Sequence, residues 1–222
     1  YKAVVECTKN DHLLVRRNAV AVLANFRNAD AVDQLRKIFA ATTDPVMKYR
    51  ALQGLLKKRD VGSVPALLAG LKSPDEVYRN ACAYALGAIG DKKALAPLCD
   101  AARTTDDRDF LWSLLPAIAR LSEKKEHADF LAAMEKRVAT LPPQKGRGEA
   151  INPDVNKGFP VAPPTPEPAD TKLKVLAEMC RLGRAAAQDD AAIKELHDRL
   201  DKDGLKAYYV HTWYLTIECL AK

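Results

Sequence analysis

Apolar residues recur at three- and four-residue steps between positions 77 and 98, in VYRNACAYALGAIGDKKALAPL. Ala81, Ala85, Leu86 and Ile89 fall on one face of a helix. Gly90 and Asp91 end it, since glycine accepts a left-handed C-cap and aspartate can cap the helix that follows. Leu95 and Leu98 then resume the stripe, so the segment reads as two antiparallel helices. A lone hairpin cannot bury its apolar face, and the same pattern returns along the chain at a period of about 32 residues. Arg79 is followed by Leu86, Ile89, Ala94 and Leu98; Arg16 is followed by Leu23, Phe26, Ala31 and Leu35. Lys48 precedes Leu55, Ser63 and Leu67, and further on Ile118, Leu121 and Phe130 take the core slots. A fixed period of this size predicts a solenoid of helical hairpins, each stabilised by its neighbours.

The flanks fit less regularly. Residues 1–9 read as the second helix of a preceding, truncated unit, with Val4, Val5 and Cys7 facing inward. Asp11, Asp44 and Asp75 stand as N-caps at successive unit starts. Pro116 lies deep enough in its helix to bend or break it. Residues 141–171 hold 8 of the 13 prolines, which predicts a linker or an extended strap anchored by Phe159, Pro160 and Val161. Helical periodicity resumes at 172–200, where Leu182-Gly183 and Ala192/Leu196 mimic Leu86-Gly87 and Ala94/Leu98, as in a degenerate fifth unit. The 205–221 segment is apolar on more than one face and either caps the stack or meets a partner. The expected organisation is therefore a repeat solenoid over 1–140, a proline-rich linker or strap over 141–171, and C-terminal helices over 172–222.

Asp75-x-Val77-x-Arg79, Ala83-x-Ala85-Leu86-Gly87-x-Ile89-Gly90-Asp91 and Ala94-x-x-x-Leu98 resemble the HEAT repeat family, in the short bacterial form called PBS-lyase-like. The likeness covers roughly residues 1–140; Lys48 stands where arginine is usual, and no basic residue fills the slot near Leu111 and Trp112. It implies an all-α, right-handed α-solenoid, with the proline-rich strap and C-terminal helical extension added to it. It also implies a binding surface, since such solenoids mostly serve as scaffolds. PBS-lyase-like repeats occur in chromophore lyases too, but nothing in this chain marks a chromophore pocket.

Composition narrows the picture a little. The chain is 48% hydrophobic and 29% charged, as an ordinary globular protein is. It has no apolar run of about 18 residues that would span a membrane. Five cysteines, Cys7, Cys82, Cys99, Cys180 and Cys219, are scattered without a CxxC pair, which argues for buried reduced thiols and a cytoplasmic setting. The chain starts at Tyr1, so it is expected to lack its true N-terminus. The formal charge of +6 sits wholly in the first third, and a basic lobe of this kind attracts acidic proteins, nucleic acid or a membrane surface.

The candidate chemistry is correspondingly sparse. Arg16, Lys48 and Arg79 recur at one helix position and should form a row paired with Asp30, Asp60 and Asp91 near the inter-helix turns. Arg36 and Lys37, with the Lys57-Lys58-Arg59 corner, are the cations best placed to hold an anionic partner. Tyr209 and Trp213 are the aromatic candidates for an interface. Glu126-His127 stands alone where a HEAT-type di-iron hydroxylase needs repeated His-Glu pairs, and Asp201–Gly204 fails as a calcium loop. No GxGxxG, GxxxxGK[ST] or GxSxG motif occurs. The sequence therefore predicts no enzyme, no catalytic residue, no metal and no cofactor. It predicts a protein–protein interaction scaffold, a subunit of a larger assembly, with Arg36, Lys37, Lys57, Lys58, Arg59, Tyr209 and Trp213 touching the partner. The alternative is a nucleic-acid-binding protein, AlkD-type or architectural, that uses the basic N-terminal third.

Overall fold

The computed structural model describes residues 1–122, 125–142, 169–187 and 189–203, which contain helices and no strand. A short helix α1 (Lys2–Cys7) precedes five hairpins. Their first helices are α2 (Leu13–Leu23), α4 (Pro45–Lys57), α6 (Glu76–Ile89), α8 (Arg108–Leu121) and α10 (Ala169–Ala186). Their second helices are α3 (Ala29–Ala41), α5 (Val64–Gly70), α7 (Leu95–Thr104), α9 (Lys125–Ala139) and α11 (Asp190–Asp203). Single 3₁₀ turns lead into α5 and α7. Each first helix packs on the first helix after it, and each second helix from α3 to α9 packs on the next first helix. The result is a stack with nearest-neighbour contacts, an all-α solenoid.

The core repeats as the sequence does. Leu23 and Leu35, Leu55 and Leu67, Leu86 and Leu98, then Ile118 and Leu131 are fully buried, one such pair from each of the first four hairpins. The fourth hairpin departs by one residue from the expected register: Leu131 fills the core slot and Phe130 is half-buried, with the Arg103 guanidinium 4.8 Å from its ring centroid. Asp44 and Asp75 accept from the Met47 and Tyr78 N–H groups as N-caps. At α2 the cap position falls to His12 rather than Asp11, because Asn10 Oδ1 has already turned the chain by accepting from the His12 N–H.

Pro116 does not break α8. The turn that contains it is wedged on both sides, Ala117 lying against Gly87 of α6 and Ala119 against Gly183 of α10, and this packing outweighs the missing N–H. Cys82, Cys99 and Cys180 are buried, and burial pushes the Cys82 and Cys99 thiols up to about 11. Cys7, expected to face inward, is exposed because α1 turns its Val4 and Val5 to the core.

The α10–α11 hairpin sits against α8 and α9. Glu135 of α9 holds Arg181 at 2.6 Å and Arg184 at 3.2 Å, while Asp189 caps α11 and also takes Arg184. Buried Arg108 donates to the Leu141 and Pro142 carbonyls and so fastens the end of α9 to the start of α8. The 143–168 part of the expected strap and the 205–221 segment lie outside the described residues. Among the described residues no helix is long and apolar enough to cross a membrane.

Candidate interaction site

Side chains on a helix lean toward its N-terminus, so a cation in the second turn reaches the loop before its own helix and the neighbouring N-cap. That geometry moves the expected ladder. Arg16 donates to the Asn10 and Asp11 carbonyls at 2.7 and 2.9 Å, and Arg79 to the Ser73 carbonyl at 3.0 Å. Of the expected row, Arg79 alone meets an acid among the described residues, and it is Asp107, the N-cap of the following hairpin; Asp30, Asp60 and Asp91 receive none of the three cations. Asp60 instead receives Arg36, and Asp91 caps the Lys93 N–H.

Two junctions between first helices are closed by this device. Between α2 and α4, Arg17 forks onto Asp44, with Nη2 to Oδ2 at 2.7 Å. The Arg17 guanidinium, aided by the Met47 N–H, holds the Asp44 carboxyl below its usual range. Between α6 and α8, Arg79 reaches Asp107 at 2.9 Å and lies 4.8 Å from the Phe110 ring centroid. Both junctions also have a close backbone approach that only glycine permits. A Cβ on Gly54 would stand 2.8 Å from the Ala24 Cβ, and one on Gly87 would stand 2.5 Å from the Ala117 Cα.

Between α4 and α6 neither closure is present. Lys48 occupies the arginine slot and sits 4.6 Å over the Tyr78 ring, with no ion pair to Asp75 among the described residues. No glycine–alanine contact joins the two helices, and they touch less than the pairs on either side. The seam opens into two clefts. One, of about 290 Å³, is lined by Thr43, Lys48, Tyr49, Asp75, Val77 and Tyr78 among others. The other, of about 530 Å³, runs along Tyr49, Gln53, Asn80, Ala81, Tyr84 and Ser113.

Burial, and after it Cys82, raises the Tyr78 phenol pKa, so its hydroxyl stays protonated. Asn80 Oδ1 is buried in the wall without a hydrogen-bond partner among the described residues. Tyr49, Val77 and Tyr84 stand 51%, 72% and 52% exposed along the seam, an unusual gathering of large side chains in water.

The residues singled out from sequence are distributed differently. Arg36 is held by Asp60 and Asp33, and the Arg36 guanidinium keeps the Asp60 carboxyl below its usual range. Lys58 donates to the Ala24 carbonyl at 2.8 Å, and burial, then Lys57 and Arg27, lowers its pKa. Lys37, Lys57 and Arg59 are exposed. Arg59 adopts φ 47°, the place that glycine takes at Gly90 with φ 86°. Tyr209 and Trp213 lie outside the described residues. The seam itself went unread in the sequence; the signal was Val77 and Tyr84, apolar residues lying off the buried stripe of α6. Among the described residues no cluster of His, Cys, Asp and Glu is placed to hold a metal ion.

Comparison with known proteins accords with this architecture. The model for HEAT repeats matches residues 40–119, and the model for the PBS lyase HEAT-like repeat matches residues 15–40. The repeats are HEAT repeats. No curated protein matches the sequence. A chain in the structure of the complex of CpcE and CpcF of phycocyanin lyase from Nostoc sp. PCC7120 shares the fold of this HEAT-repeat chain. It does so at a TM-score of 0.60 and 16% identity, over 93% of this chain and 72% of that one. This corrects the expectation that the chain is not an enzyme: one matching repeat model is named for a lyase, and the fold is one that a phycocyanin lyase uses.

Proposed function

We propose that this HEAT-repeat chain is a protein-binding subunit with a lyase-related role, and that it takes its partner along the α4–α6 seam. The observation that carries the reading is the coincidence at one junction of a missing arginine clamp, two clefts and the exposed Tyr49, Val77 and Tyr84. Large aromatic side chains already held on a rigid helix lose little entropy on binding, which suits them as anchors. The lyase-related part draws on the PBS lyase repeat match and on the fold shared with a phycocyanin lyase complex. Exposed Lys37, Lys57 and Arg59 form a separate basic edge, while Arg17, Arg36 and Lys58 are engaged within the fold.

The test is affinity capture from the native host with the wild-type chain and with a Tyr49→Glu/Tyr84→Glu variant, each with and without nuclease. Captured assemblies are then assayed for lyase action on a chromophore-bearing protein. A stoichiometric protein that survives nuclease and is lost from the variant is the expected result. Retention by the variant overturns the seam, and recovery that depends on nucleic acid moves the function to the basic edge, where binding weakens steeply with salt.

A further inference from the structure

The two closed junctions display, inside this chain, what the open one lacks. In each, an N-cap aspartate serves twice: it accepts a backbone N–H of its own helix, and it takes a guanidinium from the preceding hairpin. Asp44 does so with Met47 and Arg17, and Asp107 with Phe110 and Arg79. At the open junction Asp75 caps the Tyr78 N–H through Oδ1. Among the described residues no side chain reaches its Oδ2, the oxygen that receives arginine at both sister sites. Tyr78 stands three residues past its cap, as Phe110 does. Lys48 covers the Tyr78 ring but has no planar fork to span ring and carboxylate together. Beside that carboxylate the cleft of about 290 Å³ is open to solvent between exposed Tyr49 and Val77.

We infer that the Asp75 cleft is a receptor for an arginine side chain of a protein partner, which supplies from outside the clamp that Arg17 and Arg79 supply from within. The inference rests on the seam as the partner-binding face. A guanidinium entering the cleft meets the Asp75 carboxylate, with the Tyr49 ring and Val77 flanking its aliphatic stem. The Asp75 carboxylate is exposed at the N-terminus of α6, so the cleft suits a cation. The fork geometry and the tyrosine favour arginine over lysine. Lys48 does not exclude a second cation, as the adjacent Arg16 and Arg17 show at the first junction, one on its own loop and the other on Asp44.

The test is an NMR titration of the ¹⁵N-labelled chain with N-acetyl-arginine amide, against its uncharged isostere N-acetyl-citrulline amide. Arginine is expected to shift the Tyr49, Asp75, Val77 and Tyr78 amides saturably in the millimolar range, and citrulline to bind at least about tenfold more weakly. Asp75→Asn keeps the cap oxygen and should abolish the arginine shifts. Lys48→Arg fills the slot from within and should do the same without loss of stability. Equal response to citrulline, or shifts unchanged in Asp75→Asn, overturns the inference. Should the titration stay silent while Tyr49→Glu/Tyr84→Glu still loses its partner, the arginine receptor fails and the seam stands.

Discussion

The junctions on either side of the seam and the seam itself are built from the same repeat, yet they differ in two small ways. Where arginine meets an N-cap aspartate and glycine lets alanine in, first helices close on each other, as α2 on α4 and α6 on α8. Where lysine stands in the arginine slot and no glycine faces an alanine, α4 and α6 part, and tyrosines line the gap. In a one-dimensional stack, stability is set junction by junction, so loosening one junction leaves the rest of the rod rigid. A HEAT solenoid can therefore open a cleft by omission, without adding a loop or a domain.

The sharpest way to break this comparison is to add volume on both sides. Gly87→Leu drives a side chain into the Ala117 backbone and should cost about 3 kcal/mol or more, while Ala81→Leu, which faces the clefts, should cost less than about 1 kcal/mol. Urea midpoints decide it, and equal costs would mean that the seam is as tightly packed as its neighbours.

Acid probes the first closed junction. Asp44 and Asp60 are held below the ordinary carboxylate range by Arg17 and Arg36, so the folded state binds their protons less readily than the unfolded chain. Their contribution is complete above the unfolded value of about 3.9 and is lost as pH falls through the folded values. The urea midpoint should drop across that window, and drop less in Asp44→Asn/Asp60→Asn. An identical pH profile in the variant would detach these clamps from stability.

Smaller effects refine the picture. Arg59→Gly relieves a left-handed φ in the turn after α4 and should raise stability by about 0.5–1 kcal/mol, whereas Gly90→Ala at the equivalent turn after α6 should lower it. Lys48→Arg should close the seam and add about 0.5 kcal/mol, and the gain should vanish in an Asp75→Asn background. A gain that persists without Asp75 would show that the new arginine binds elsewhere.

How far the sequence carries the reader follows from what kind of fact each feature is. The hairpins, their caps at Asp44 and Asp75 and the buried leucines were legible because each depends on spacing within one helix or on one fixed period. The likeness of Leu182-Gly183 to Leu86-Gly87 was legible for the same reason, and Gly183 does meet Ala119 as Gly87 meets Ala117. The ladder was legible only in part: Arg79 was found, but its acid Asp107 lies one hairpin further on, and the cation that reaches Asp44 is Arg17 rather than the expected Arg16, since side-chain direction decides which end of the neighbour is reached. One residue of slippage after α8 moved the core slot from Phe130 to Leu131. The seam was not legible, because it is a missing contact between residues far apart in the chain. No pattern within α4 or α6 records that α6 brings no alanine to a glycine of α4.

The most direct test of the seam sets it against the basic edge. Partner recovery is compared for the wild type, Tyr49→Glu/Tyr84→Glu and Lys57→Glu/Arg59→Glu, each first shown to be folded by circular dichroism. The expected result is loss of the partner in the tyrosine variant and its retention in the charge variant. Loss in the charge variant with full retention in the tyrosine variant would contradict it.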